Sequence, residues 1–242
     1  MSRNENTEEP GQSPSGSSEK GVTMTDFREK YLERRAMWLD WYGNKATPAQ
    51  KKLFDLILDY SDEYFSDFRF ESGSVINDFV QVEGTDDNGD SYTEIMDGPD
   101  ELRHFNNIIL KSFQYEVAPL EEGTEGCINP ADWRVTVIPQ MVNDDEGKPS
   151  ILHEIIHMYE VVINELPRFY HDILLVCLYR NLREKVPDLD DRILSHTHVY
   201  VGNEITLLGG EHDILFFLKS IDLDLRCGYK LGTVCGYGRD QY

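Results

Sequence analysis

Three residues in the middle of the chain have the types and the spacing of a metal site. His153, Glu154 and His157 form the pattern H-E-x-x-H within residues 150–166, where apolar residues recur at helical spacing. Residues four apart on an α-helix lie on one face, about one turn apart, so both imidazoles can bind one metal ion. Glu154 is rotated by about 100° from His153 and can reach a water beside that ion. Two histidines and a carboxylate base are groups that a zinc hydrolase uses.

The simplest alternative is an ordinary amphipathic core helix whose two histidines face solvent. The surrounding residues argue against it, because they form a broad apolar face: Leu152, Ile155, Ile156, Tyr159, Val162, Ile163 and Leu166. Glu154 is the only acidic or basic residue, histidines aside, between Ser150 and Tyr159. Two imidazoles and a carboxylate in so apolar a helix need partners. The sequence therefore predicts a bound Zn²⁺ at this helix.

The same segment resembles the active-site helix of the zincin metallopeptidases, over residues 133–166. The extended zincin motif has uncharged residues around the two histidines and then a hydrophobic residue. Five positions agree with it, namely Ile151, Ile155, Ile156, Met158 and Tyr159. Ser150 stands where Val or Thr is commoner. The resemblance implies a zinc-dependent peptidase with Glu154 as general base. It also implies a mostly helical, zincin-like α+β domain with a small mixed sheet.

A catalytic zinc site needs a third protein ligand and one open position. The zincin branch with a histidine six residues after the second one is excluded, because Ile163 stands there. The resemblance to the other branch implies a carboxylate from a later helix. Glu211 is the first choice, since it opens a predicted helix over residues 211–226, follows Gly209-Gly210 and shares a face with Ile214. Its charge equally suits a helix N-terminus without a metal.

Other third ligands stay open. Glu204 is second, because some zincins present this ligand in an Asn-Glu pair, and His212, His171 and His198 follow it. The proposed chemistry also needs a donor to an oxyanion, commonly Tyr, His or Arg. The sequence does not choose among Tyr200, His198, Arg226 and Tyr229.

The charge balance limits the partners. Asp and Glu number 45 against 23 Lys and Arg, which gives a formal net charge of -22. Nucleic acids and anionic membranes are recognised by basic surfaces, so neither is an expected partner. Basic peptides are compatible with this charge, and we expect a peptide or protein substrate.

The apolar runs and the cysteines of the sequence indicate a cellular compartment. No apolar run approaches the roughly 20 residues of a membrane span, and the N-terminus lacks the apolar core of a signal peptide. The four cysteines, which show no C-x-x-C spacing, are Cys127, Cys177, Cys227 and Cys235. We expect reduced thiols in a cytoplasmic protein. An exported, disulfide-bonded form is the alternative.

One catalytic domain over residues 24–242 is expected from the chain length, after a disordered polar tail over residues 1–23. Residues 24–70 should form a helical hairpin, 71–166 the sheet and the metal helix, and 167–242 a helical C-terminal part. In the hairpin, a helix over 25–42 ends at Gly43-Asn44, and a second helix starts with Thr47 as cap and Pro48 in the first turn.

The remaining elements are assigned by the same signals. Residues 74–83 and 91–96 read as a hairpin, and 133–139 as an edge strand that could hold an extended peptide. Residues 102–113 read as a helix, with 113–117 extended as an alternative. Ser150 is the expected cap of the metal helix. Helices are expected at 168–185 and 189–196, and a strand that includes His196 and His198 would put both histidines on one face.

Two other functions fit the same residues. The chain could be an interaction protein on a zincin-like scaffold, without metal or with a structural one. It could also be a zinc hydrolase of a non-peptide amide, which would share the site and differ only in the cleft.

Overall fold

The computed structural model of the 242-residue chain describes residues 24–68, 81–85, 91–95, 110–143, 145–164, 168–201, 204–207 and 212–236. For some of these, among them 81–85, 91–95, 198–201 and 204–207, only the backbone is described. Helices and strands are numbered here in chain order among the described residues. The predicted tail over 1–23 and most of the predicted helix over 102–113 lie outside them. The described fold is mostly helical with a small mixed sheet, as expected for the α+β class.

In the N-terminal hairpin, the second helix starts at Thr47-Pro48, as predicted. Helix α1 is Met24–Asp40, a π-helical turn follows at Trp41–Lys45, and α2 is Pro48–Tyr64. The Thr47 hydroxyl accepts from the Gln50 amide, and the Gln50 side chain accepts from the Thr47 amide at 2.8 Å. This capping box confirms the cap at Thr47 and satisfies two amides that would otherwise lack partners. The chain stays helical through Gly43-Asn44, where a stop had been predicted.

The three-stranded sheet has the order β3-β5-β4. Strand β3 is Gln114–Val117, β4 is Gly126–Asn129 and β5 is Arg134–Val137. Strand β5 pairs in parallel with β3 and antiparallel with β4, so the prediction that it forms an edge is wrong. The proline that suggested an edge is Pro139, which lies beyond the strand at the start of α3, Pro139–Asn143. It therefore costs the ladder no hydrogen bond.

Two further strand pairs flank this sheet in sequence. Strand β1, Gln81–Thr85, pairs antiparallel with β2, Ser91–Ile95, which confirms the predicted hairpin over the part that is described. Strand β6, His198–Val201, pairs antiparallel with β7, Glu204–Leu207. The extended alternative for residues 113–117 is confirmed by β3.

The helix that carries H-E-x-x-H is α4, Lys148–Ile163. It starts two residues earlier than predicted, with Gly147 at the cap position, Pro149 in the first turn and no side-chain cap. Ser150 is therefore inside the helix, and its hydroxyl donates to the Glu125 carboxylate. Gly147 is required by packing, because a Cβ there would lie 2.5 Å from the Met141 carbonyl oxygen.

Three helices complete the described fold. Helix α5 is Arg168–Arg183, α6 is Leu189–Thr197 and α7 is Ile214–Cys227. The last helix starts later than the predicted residue 211, because Asp213 is extended (φ -80°, ψ -176°) and its carboxylate caps the helix by accepting from the Phe216 amide. His196 lies in the last turn of α6, so it does not share a strand face with His198 as predicted. None of the described helices is long and apolar enough to cross a membrane.

Helix α7 is the buried centre of the C-terminal part and contacts α4, α5 and α6. Its fully buried Lys219 bonds the Asp67 carboxylate at 2.7 Å, the Asp222 carboxylate at 3.0 Å and the Tyr64 carbonyl oxygen at 2.8 Å. A buried ammonium group needs this number of partners to offset its lost hydration. Lys219 thus joins α7 to the C-terminal end of α2.

Replacing Lys219 with Met should lower the free energy of unfolding by about 3 kcal/mol, because Asp67 and Asp222 lose their buried counter-charge. The figure is at the low end for buried pairs, since the Asp67 side chain is 27 % exposed. Urea denaturation measures the change.

Lys45→Met is the matched control. It also removes an Asp-bound lysine, but both partners of that pair are exposed, so little change is expected. Equal stability of the Lys219 variant and this control would contradict the structural role of Lys219.

Candidate metal centre

Three histidines from two parts of the chain meet at the middle of α4. His153 and His157 lie one turn apart on α4, and His212 lies immediately before the Asp213 cap of α7. One nitrogen of each imidazole lies within 4.8 Å of the other two. The ring centroids are 4.9 Å apart for His153 and His157, 4.9 Å for His153 and His212, and 5.1 Å for His157 and His212. Three imidazoles this close form a set of donors suited to one Zn²⁺ ion.

The third histidine of this cluster, His212, is the neighbour in sequence of Glu211, the ligand expected first. Glu211 lies outside the described residues, as does the Glu204 side chain, so both stay predictions. His171 is occupied elsewhere: its Nε2 bonds Asp213 at 3.1 Å and its Nδ1 bonds Asp172 at 3.2 Å. The His198 side chain is also outside the described part. Among the described side chains, His212 alone joins His153 and His157.

Hydrogen bonds orient both imidazoles of α4. His153 Nδ1 lies 2.8 Å from the Val234 carbonyl oxygen, and His157 Nδ1 lies 2.9 Å from Glu160 Oε2. A carbonyl oxygen only accepts, so His153 donates from Nδ1 and keeps the lone pair on Nε2. Metal-binding histidines are typically held this way, with one ring nitrogen donating to a carbonyl or a carboxyl group and the other facing the metal.

Two of the three histidines, His157 and His212, are in the protonation state that metal binding requires. Burial lowers the pKa of His157 to about 3, and the neighbouring His153 and His212 lower it further. Burial, with the same kind of neighbours, lowers the pKa of His212 to about 4. Both imidazoles are therefore neutral at pH 7. The contact between His157 and Glu160 is accordingly a hydrogen bond between neutral groups, not an ion pair.

A second layer of buried groups supports the cluster. Burial and the charge of Asp213 raise the pKa of Glu160 to about 9, so Glu160 keeps a proton that it shares with Asp213. The Asp213 carboxylate also accepts from His171, which is only 5 % exposed. Partial burial opposes ionisation of Asp213, but bonds from the Phe216 amide, His171 and Glu160 lower its pKa overall. This chain of bonds links α4, α5 and the start of α7.

The backbone of His212 has its own support. His196, at the end of α6, bonds the His212 carbonyl oxygen at 3.2 Å and stacks on Phe217 with a centroid distance of 4.2 Å. Phe216 stacks on the His212 ring itself, at 4.0 Å. His212 is thus fixed from both its main chain and its ring. An orientation held in this way before a metal binds reduces the ordering cost of binding.

Glu154 lies beside the histidines but outside their cluster. Its side chain is 4 % exposed, and its Oε2 atom has no hydrogen-bond partner among the described protein atoms. Burial raises the pKa of Glu154 to about 8. A buried carboxyl oxygen without a partner is costly and is a common property of groups that act on a ligand. This orphan oxygen fits a bound metal with its water.

Strand β4 passes directly over Glu154. A Cβ built on Gly126 would lie 2.7 Å from Glu154 Oε1 and 2.9 Å from its Cγ, so only glycine fits here. Next to this contact is a cleft of about 490 Å³ that reaches His153 and Glu154. Its walls are the start of β4, the start of α4 and the C-terminal segment. The lining residues are Gly123, Thr124, Glu125, Gly126, Glu146, Pro149, Ser150, His153, Glu154, Thr233, Val234 and Gly236.

The expected oxyanion donors are only partly described. Arg226 donates to the carbonyl oxygens of Tyr64 and Glu63, at 2.6 and 2.5 Å, so it serves the end of α2. Tyr229 has Cys227, Tyr60 and Asp224 as its charged or polar neighbours. The structure does not bring either residue to the histidines. The side chains of Tyr200 and His198 lie outside the described residues.

Glu160 and Asp213 were missed in the sequence, although both left signals there. Glu160 is three residues after His157 and therefore on the same face of the helix. Asp213 precedes an apolar run, which is the signature of a helix N-cap. If Asp213 is taken as the N-cap of the last helix, His212 lies outside that helix. His212 is also the neighbour of Glu211, the first choice for the third ligand.

Comparisons with protein-family models, with curated proteins and with solved structures find no match to this chain. The site is therefore interpreted from its own chemistry.

His212→Ala should weaken zinc binding by more than about 100-fold, as His153→Ala and His157→Ala should, because each removes a direct ligand. Glu211→Ala and Glu204→Ala should bind zinc as the unaltered protein does. Competition with a zinc-binding dye measures the affinities, and melting temperatures without metal show whether each variant folds. If Glu211→Ala loses zinc while His212→Ala keeps it, the ligand predicted from the sequence is right and His212 is not a ligand.

Proposed function

We propose that the chain is a zinc-dependent peptidase of the zincin type, in which His153, His157 and His212 hold the metal and Glu154 is the general base. One observation carries the proposal: three histidines converge beside Glu154, a buried residue that lines a cleft and has one carboxyl oxygen without a hydrogen-bond partner among the described protein atoms. A structural zinc site is usually closed by four protein ligands. Three histidines with an open cleft beside them fit a catalytic site.

When bound, zinc would supply a Lewis acid that polarises a peptide carbonyl and lowers the pKa of a water to about 7. Glu154 supplies the proton transfers. Its free oxygen accepts a proton from the attacking water, and the carboxyl group then returns this proton to the amine that leaves when the C–N bond breaks. Burial raises the pKa of Glu154 to about 8, and a pKa close to the operating pH suits a group that must both take and give a proton.

An extended substrate has a place to bind beside these groups. Strand β4 has a partner on one side only within the described sheet, and it crosses α4 with Gly126 against Glu154. An exposed strand edge can bind an extended peptide by backbone hydrogen bonds. The sequence suggested that β5 binds an extended peptide at its edge; we assign this role to β4 instead. Main-chain recognition of this kind favours a peptide over a small amide.

The thiols fit the expected compartment. No disulfide joins the four cysteines, which all lie in the described part of the chain, and Cys177 and Cys235 are buried. Free cysteines are typical of a reducing compartment such as the cytoplasm. We therefore propose that the peptidase is cytoplasmic.

Glu154→Gln should keep the fold and the zinc while activity falls by at least about 100-fold, because the amide cannot accept the proton of the water. The measurement is hydrolysis of a mixture of unfolded proteins, followed by mass spectrometry, with zinc content determined on the same samples. A chelator should abolish the activity of the unaltered protein, and added zinc should restore it.

Two results would contradict the proposal. Retention of more than about a tenth of the activity by Glu154→Gln would exclude Glu154 as the base. A folded, metal-free protein that cannot be loaded with zinc would favour the non-catalytic interaction protein instead.

A further inference from the structure

The cleft beside Glu154 carries negative charge on two of its walls. Glu125 lies just before β4, and Glu146 lies in the turn Asp145–Gly147 just before α4. Both side chains are exposed, and the described residues that line the cleft include no Lys or Arg. A substrate in this cleft therefore meets two carboxylates before it reaches the histidines.

Glu125 is held in position at the cleft. The Ser150 hydroxyl donates to its carboxylate, and its carbonyl oxygen accepts from the Ile138 amide at 3.0 Å. Glu146 precedes Gly147, whose contact with the Met141 backbone leaves no room for a Cβ. Both carboxylates are thus carried by backbone that is fixed by its own contacts, and fixed charges lose less entropy when they bind a ligand.

The nearest cation of α4 is turned away from the cleft. Lys148 donates to the Tyr64 hydroxyl at 2.6 Å and lies over the rings of Tyr60 and Tyr64, at 5.0 and 4.4 Å. The Lys148 ammonium group therefore binds side chains of α2 and does not neutralise the Glu146 carboxylate. An independent feature points to a ligand in the cleft: Glu154, 4 % exposed, lines it and has one carboxyl oxygen without a hydrogen-bond partner among the described protein atoms.

We propose that this cleft selects peptides with a Lys or Arg side chain next to the bond that is cut, with Glu125 and Glu146 as the specificity-determining residues. The inference rests on the proposed peptidase function and adds the class of substrate. A cleft of about 490 Å³ lies in the range that encloses a ligand of a few residues. The net charge of -22 also raises the local concentration of basic peptides.

The experiment uses sets of synthetic peptides that are identical except for Lys, Gln or Glu at one position, scanned along both sides of a cleavage site. At one position, kcat/KM should rank Lys above Gln above Glu. Each step should be about two- to fivefold, as expected for partly exposed charge pairs. The ranking should weaken in high salt, because the carboxylates are accessible to solvent.

The test variant is Glu125→Gln with Glu146→Gln, and the matched control is Glu121→Gln with Glu122→Gln. The control removes the same charge from two exposed glutamates that do not line the cleft. The test variant should cleave the Lys and Gln peptides at equal rates. The control should keep the preference.

Each outcome decides between the two claims. Cleavage of all peptides by the unaltered protein without a Lys preference overturns the specificity and leaves the peptidase function standing. Equal loss of preference in the control would assign it to net charge and also overturn the proposal. If no peptide is cleaved, the peptidase function fails, and binding of the same fluorescent peptides to the zinc-loaded protein tests the cleft: equal affinity for Lys and Gln peptides overturns the inference.

Discussion

The capping carboxylate of Asp213 is the interaction on which the rest of the site depends. It ends the extended segment after His212 and starts α7 by accepting from the Phe216 amide at 2.9 Å. It also accepts from His171 of α5 at 3.1 Å and shares a proton with Glu160 of α4, whose carboxyl group bonds His157. The Asp213 side chain thereby fixes the position of His212 relative to α4, the helix that carries His153 and His157. Helix caps usually stabilise only their own helix.

Helix α7 positions the other end of the site as well. Asp224 accepts from the amides of Gly232 at 2.7 Å and Val234 at 3.0 Å, which fixes the turn that follows the helix. The Val234 carbonyl oxygen in that turn accepts from His153. The first and the last turns of α7 therefore orient different histidines, and Lys219 between them anchors the helix to α2. The metal site depends on the placement of this helix as much as on the motif in α4.

The sequence predicted what depends on local spacing. The helix around H-E-x-x-H, the Thr47-Pro48 start of α2 and the hairpin of β1 and β2 were each recognisable from a few consecutive residues. The wrong predictions depended on distant contacts. Gly147 replaced Ser150 at the start of α4 because of the Met141 backbone, and β5 is central because β3 and β4 pair with both its sides. The predicted start of the last helix at residue 211 was also wrong, because Asp213 caps α7 and leaves His212 before the helix.

The most direct measurement is zinc K-edge X-ray absorption on the protein loaded with one equivalent of zinc. We predict four light-atom ligands at about 2.0–2.2 Å, with the multiple-scattering pattern of three imidazoles, which should fall to two imidazoles in His212→Ala. Two imidazoles in the unaltered protein, together with a carboxylate, would contradict the three-histidine site and support Glu211. Failure of the folded protein to bind zinc would contradict the account as a whole.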